Sequence, residues 1–226
     1  MYVYTATATI SNCVIYSNSA STAVSGYGGG LHLIYSTATL NGNTVISNTA
    51  STAGSGMGGG LYLAHSTVTM GSNIVQGNTA STATWGDGGG LSLSSSTATL
   101  NGNIVQGNTA STGAGLYSGG VGGGLDLIRS SVTLSGNMVQ GNTASTASIG
   151  SGGGLSLGGS TVTLSGNTVQ GNTASPADRG SGGGLSLGNS DATLSGHAVI
   201  SNTATLNPTA VGRGVGCGYG LAVPSP

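Results

Sequence analysis

Acid–base, metal and redox chemistry in this chain of 226 residues rests on a short set of side chains. They are Asp87, Asp126, Asp178, Asp191, Arg129, Arg179, Arg213, His32, His65, His197, Cys13 and Cys217; lysine, glutamate and phenylalanine are absent. Cleaving a glycosidic bond takes a pair of carboxyls set for acid and base roles, and the four aspartates occupy different positions of the chain's repeat. Asp87 and Asp178 stand in turns ahead of a triple glycine, Asp126 lies on a first strand, and Asp191 opens a second strand. Asp126 and Arg129 read as a surface ion pair. A metal site needs several converging ligands, whereas His32 and His65 fall at different repeat positions and His197 takes the place of a corner asparagine. Gly-Gly-Gly runs into a strand with no lysine after it, which is not a phosphate loop. The expectation is no enzyme, no metal and no cofactor.

The charge balance excludes further classes. A net charge of −1 supplies no long-range field for phosphates, so nucleic acid is not a partner. No apolar run reaches the ~18 residues needed for a membrane span. Met1-Tyr2-Val3-Tyr4-Thr5 carries neither the basic nor the apolar region of a signal peptide.

The elements that position these residues come from an internal repeat. Gly-Gly-Gly-Leu recurs with its leucine at Leu31, Leu61, Leu91, Leu125, Leu155 and Leu185, at spacings of 30, 30, 34, 30 and 30 residues. Coils therefore start near residues 1, 31, 61, 91, 125, 155 and 185 of a single domain, 1–226. A partial eighth strand is expected at 221–223. Within the coil that starts at Leu61, three segments alternate with period two: Leu61-Tyr62-Leu63, Thr67-Val68-Thr69-Met70 and Ile74-Val75-Gln76. Alternation of this kind marks half-buried strands. The inward set is Leu61, Leu63, Val68, Met70, Val75 and Ala80, with corners at Ser66, Gly71-Ser72-Asn73 and Gly77-Asn78.

Three strands per coil of about 30 residues, repeated in register for about seven coils, describe an all-β, single-stranded parallel β-solenoid. Each coil buries its apolar face only against its neighbours, and parallel crossovers favour the right hand. Asn48, Asn78, Asn108, Asn142, Asn172 and Asn202 are expected to form an amide ladder. Gln76, Gln106, Gln140 and Gln170 stack on the third face.

One outward surface is regular enough to bind something. The second strands expose Thr7 and Thr9, Thr37 and Thr39, Thr67 and Thr69, Thr97 and Thr99, Thr133, Thr161 and Thr163, and Thr193. Their spacing is ~4.8 Å between coils and about 6.7 Å along a strand. This array resembles the ice-binding face of β-solenoid antifreeze proteins, which makes ice a possible partner and a glycan surface a lesser one. Uncapped coils expose strand edges, so Met1, Tyr2, Val3, Cys13, Cys217, Leu221 and Val223 are candidate self-assembly contacts. Cys13 and Cys217 lie roughly 30 Å apart by strand spacing, too far to pair within one rod. They read as small buried residues or as partners across a head-to-tail junction.

Gly-Gly-Gly-Leu and Val-x-x-Asn, as in Val75-Gln76-Gly77-Asn78, resemble the paired GGA[I/L/V] and FxxN motifs of polymorphic outer-membrane-protein repeats and of other bacterial surface β-helix repeats. Valine stands here where that motif has phenylalanine. The resemblance covers almost the whole chain. It implies a right-handed parallel β-helix at the cell surface or outside the cell, used in adhesion or assembly. The expected function is a non-enzymatic structural protein that self-assembles into a fibre or matrix through its ends or flat faces.

Overall fold

The computed structural model describes residues 1–115 and 117–205, together with the backbone of the short strands Gly212–Arg213 and Cys217–Gly218. Its coils are built as the alternation dictates. In the coil starting at Leu61 the first strand is Leu61–Ala64, the second Thr67–Gly71 and the third Ile74–Gln76. The sequence reading omits two further short strands, a fourth at Thr79–Ser81 and a fifth at Trp85–Asp87. All pairing is parallel and in register: Leu61 sits between Leu31 and Leu91, and Val75 between Val45 and Val105. Among the described residues this gives five sheets, one of eight strands and four of seven.

Leucines from the first strands, aliphatic residues from the second and the valine column from the third meet in one continuous core. The inward residues Leu61, Leu63, Val68, Met70, Val75 and Ala80 are all buried. Each large one contributes about 1.5–3 kcal/mol of transfer free energy. Buried polar ladders hold the corners between sheets. The backbone N–H of Asn78 donates to Oδ1 of Asn108 at 2.9 Å, and Nδ2 of Asn78 donates to the Val45 carbonyl at 2.9 Å and to the same Oδ1. A second amide ladder runs through Asn43, Asn73 and Asn103, and a hydroxyl ladder through Ser36, Ser66 and Ser96. His197 stands at the end of the second ladder and accepts the Asn167 N–H through Nδ1 at 3.3 Å.

The long 34-residue coil takes its four extra residues between Ser111 and Gly119, because Ser111 still pairs with Ser81 while Gly119 pairs with Trp85. At the far end the register differs from expectation. Leu185 pairs with Cys217, and Gly180 with Gly212. Leu185 and Cys217 are 32 residues apart, and in the sequence Gly214-Val215-Gly216 precedes Cys217 as three glycines precede each earlier leucine. The eighth strand of the first sheet is thus Cys217–Gly218 rather than 221–223; Leu221 and Val223 lie outside the described residues. Among the described residues there is no helix long and apolar enough to cross a membrane.

Candidate functional site

The threonine array is placed as its alternation requires. Every second strand points Ala38, Val68 or its equivalent into the core and the flanking residues outward. Thr9, Thr39, Thr69, Thr99, Thr133, Thr163 and Thr193 form one unbroken exposed rank. The parallel rank holds Thr7, Thr37, Thr67, Thr97 and Thr161, with Ser131 and Asp191 in the remaining places. Each threonine is exposed. The face therefore presents methyls and hydroxyls on a grid, with one carboxylate in its last layer.

On the third face the glutamines form their own ladder: Nε2 of Gln106 donates to Oε1 of Gln76 at 2.9 Å, and Gln140 to Gln106 at 2.7 Å. These amides satisfy one another and rim a shallow groove of about 550 Å³.

The fifth strand creates a concave corner that sequence reasoning did not reach. Its last residue and the second residue of the first strand face each other along the rod. In the first layers that corner is aromatic. His32 lies 5.1 Å from the rings of both Tyr2 and Tyr62, and Tyr27 lies 5.3 Å from Tyr62. Nε2 of His32 is buried without a hydrogen-bond partner. Burial, and after it the nearby N-terminal ammonium, lower the imidazole pKa. Burial raises the Tyr62 phenol, opposed by its hydrogen bond with Ser94.

Further along, the same corner holds two carboxyls. Asp87 accepts the Trp85 indole N–H through Oδ1 at 2.7 Å. Burial pushes its pKa up to about 6 against that hydrogen bond. Asp126 is stacked between Ser92 and Ser156 and is only 1% exposed. Burial first, then the charge of Asp87, raise its pKa well above the usual carboxylate range, opposed by a hydrogen bond with Ser156. Oδ2 of Asp126 has no hydrogen-bond partner. Both residues line a cleft of about 440 Å³ that also touches Arg129, Ser156 and Asn189.

This corrects the expected surface pair of Asp126 with Arg129. Asp126 is buried, and Asp87, the last residue of a fifth strand, adds its charge at the corner where that strand's end meets the first strand. The aspartates do occupy different columns, but two of those columns are adjacent in space. A glycine-rich segment just ahead of Gly-Gly-Gly, at fixed spacing from the next leucine, is the signal that marks the fold-back.

Cys13 is a free thiol and is exposed, which overturns its reading as a small buried residue. It heads the Asn43 ladder, its N–H donating to Oδ1 of Asn43 at 3.0 Å, with no coil outside it among the described residues. Met1 and Tyr2 are also exposed, each at 64%, and Val3 is half-buried. His65 stacks on Tyr35 at 5.0 Å, away from His32. Among the described residues no group of three or more His, Cys, Asp or Glu side chains comes together.

The family model described as a right-handed beta helix region matches residues 1–220, and the chain belongs to that family. No curated protein and no solved structure matches the chain.

Proposed function

We propose that this right-handed β-helix is a non-enzymatic structural protein of the cell surface or extracellular matrix that assembles side by side through its second-strand sheet. The observation that carries the reading is the hydroxyl–methyl grid, with its unbroken rank of threonine from Thr9 to Thr193. The face carries no lysine or arginine, and its one charged side chain is Asp191 in the last layer. When two such faces meet, threonine methyls give dry contact, and each hydroxyl both donates and accepts, so like can meet like. A formal charge of −1 over 226 residues leaves little repulsion to oppose contact. The motif resemblance to bacterial surface repeats points the same way. Catalysis on a polysaccharide is disfavoured because Asp126, one of the two carboxyls that do converge, is only 1% exposed, too little for a group the size of a sugar to reach.

The same unbroken rank favours ice as a second reading, since a rigid periodic array of methyls and hydroxyls suits the periodic surface of frozen water. Negative-stain microscopy and sedimentation across a concentration series test the first reading. Laterally packed rods are expected for the native chain, and single rods for the Thr69→Lys, Thr99→Lys double variant. Single rods at every concentration in the native protein would overturn assembly. Thermal hysteresis from those single rods would then establish the ice reading.

A further inference from the structure

We propose that the concave corner between the fifth and first strands binds a divalent cation of the calcium type between Asp87 and Asp126. The chain has four carboxylate side chains in all, and the fold sets two of them against one another in its interior corner. Oδ2 of Asp126 is the decisive atom: buried, unpartnered, and on a side chain that is 1% exposed. A polar oxygen left in that state is destabilising, the more so when charged. An ion supplies the missing partner.

The surroundings fit a hard cation. Asp87 gives one carboxylate oxygen to Trp85 and has the other left over. Ser92 and Ser156 flank Asp126 in register, and Ser156, which hydrogen-bonds Asp126, brings a hydroxyl oxygen to the cleft. No sulfur ligand and no imidazole is among these groups, and an all-oxygen set selects calcium or magnesium over zinc. The cleft of about 440 Å³ beside the pair leaves room for water ligands, which calcium accepts in its variable shell of six to eight oxygens. Arg129 lines the same cleft. With only two carboxylates the affinity belongs with extracellular calcium modules, on the order of 10⁻⁴ to 10⁻³ M.

The position gives the ion work to do. Asp87 and Asp126 bracket the coil that carries the four extra residues between Ser111 and Gly119. An ion held by both ties that irregular coil to its neighbours.

Trp85 makes the test specific, because it is the only tryptophan and its indole is bonded to Asp87. Terbium, which takes calcium's oxygen ligands, is the probe. Excitation of Trp85 should give saturable terbium emission that excess calcium displaces and potassium does not. Asp126→Asn should abolish the emission, and Asp191→Asn, on the threonine face, should leave it unchanged. Should Asp126→Asn fail to fold by circular dichroism, Asp87→Asn, at a half-buried position, carries the same expectation. Absence of sensitised emission from the folded native protein, or its persistence in a folded Asp126→Asn or Asp87→Asn variant, overturns the proposal.

Discussion

At Gly86 the fold leaves no room for a methyl group, since a Cβ there overlaps the carbonyl oxygen of Ala110 in the next coil. The same collision awaits a side chain at Gly56 against Ala80. Gly107 is constrained differently. Its φ of +59° is left-handed, yet nothing lies within 4 Å of a Cβ built on it. Ser47 holds the equivalent place two coils earlier with φ of 55°, so that corner tolerates a side chain. Gly107→Ala should therefore cost about 1–2 kcal/mol, the ordinary penalty for a left-handed alanine. Gly86→Ala should cost several times more, because backbone rather than a side chain must move. Urea unfolding of the two variants measures both, and equal midpoints would contradict the steric account.

Among the elements, the asparagine ladder is what turns stacked strands into a rod with corners. Asn108 makes four side-chain hydrogen bonds: its Oδ1 accepts from the N–H and Nδ2 of Asn78 at 2.9 Å, and its Nδ2 donates to the Val75 carbonyl at 2.9 Å and to Asn142 at 3.0 Å. Asn108→Ala leaves the buried Asn78 N–H unpaired, at about 1–3 kcal/mol for an orphaned group. It also takes one further hydrogen bond from each of Nδ2 of Asn78, the Val75 carbonyl and Oδ1 of Asn142. Of these, the first keeps the Val45 carbonyl and the last keeps the Asn108 N–H. A loss of at least about 3 kcal/mol is expected in denaturant unfolding. Asn108→Asp, which keeps the acceptor and discards the donors, should not restore it. This ladder, the valine column and the first three strands of each coil were legible in the sequence because alternation and strict recurrence specify both face and register. The fifth strand was not. Trp85-Gly86-Asp87 has no apolar alternation, and its central glycine, required by the close approach to Ala110, reads as a turn. The carboxyl pair depends on that strand, so it stayed hidden with it. The far end was misplaced for a related reason: its coil has Cys217 where leucine recurs and Val215 where glycine does.

Over the whole molecule, stability comes from apolar columns and neutral ladders, with hardly any charge to modulate. Raising sodium chloride from 0.01 M to 1 M shortens the screening length from about 30 Å to 3 Å. The melting temperature should nonetheless move by under about 3 °C, the equivalent of about 1 kcal/mol in a chain of this size. A larger shift in calorimetry would show that the few charges carry more of the fold than their number suggests. The in-register stacking has one more consequence, which concerns inheritance. Leu91 rests on Leu61 as Leu61 rests on Leu31. Removing or copying one 30-residue unit of the gene brings like strand onto like strand at the new seam, with every ladder rejoined. Unequal recombination can thus lengthen or shorten the rod without any new interface having to evolve.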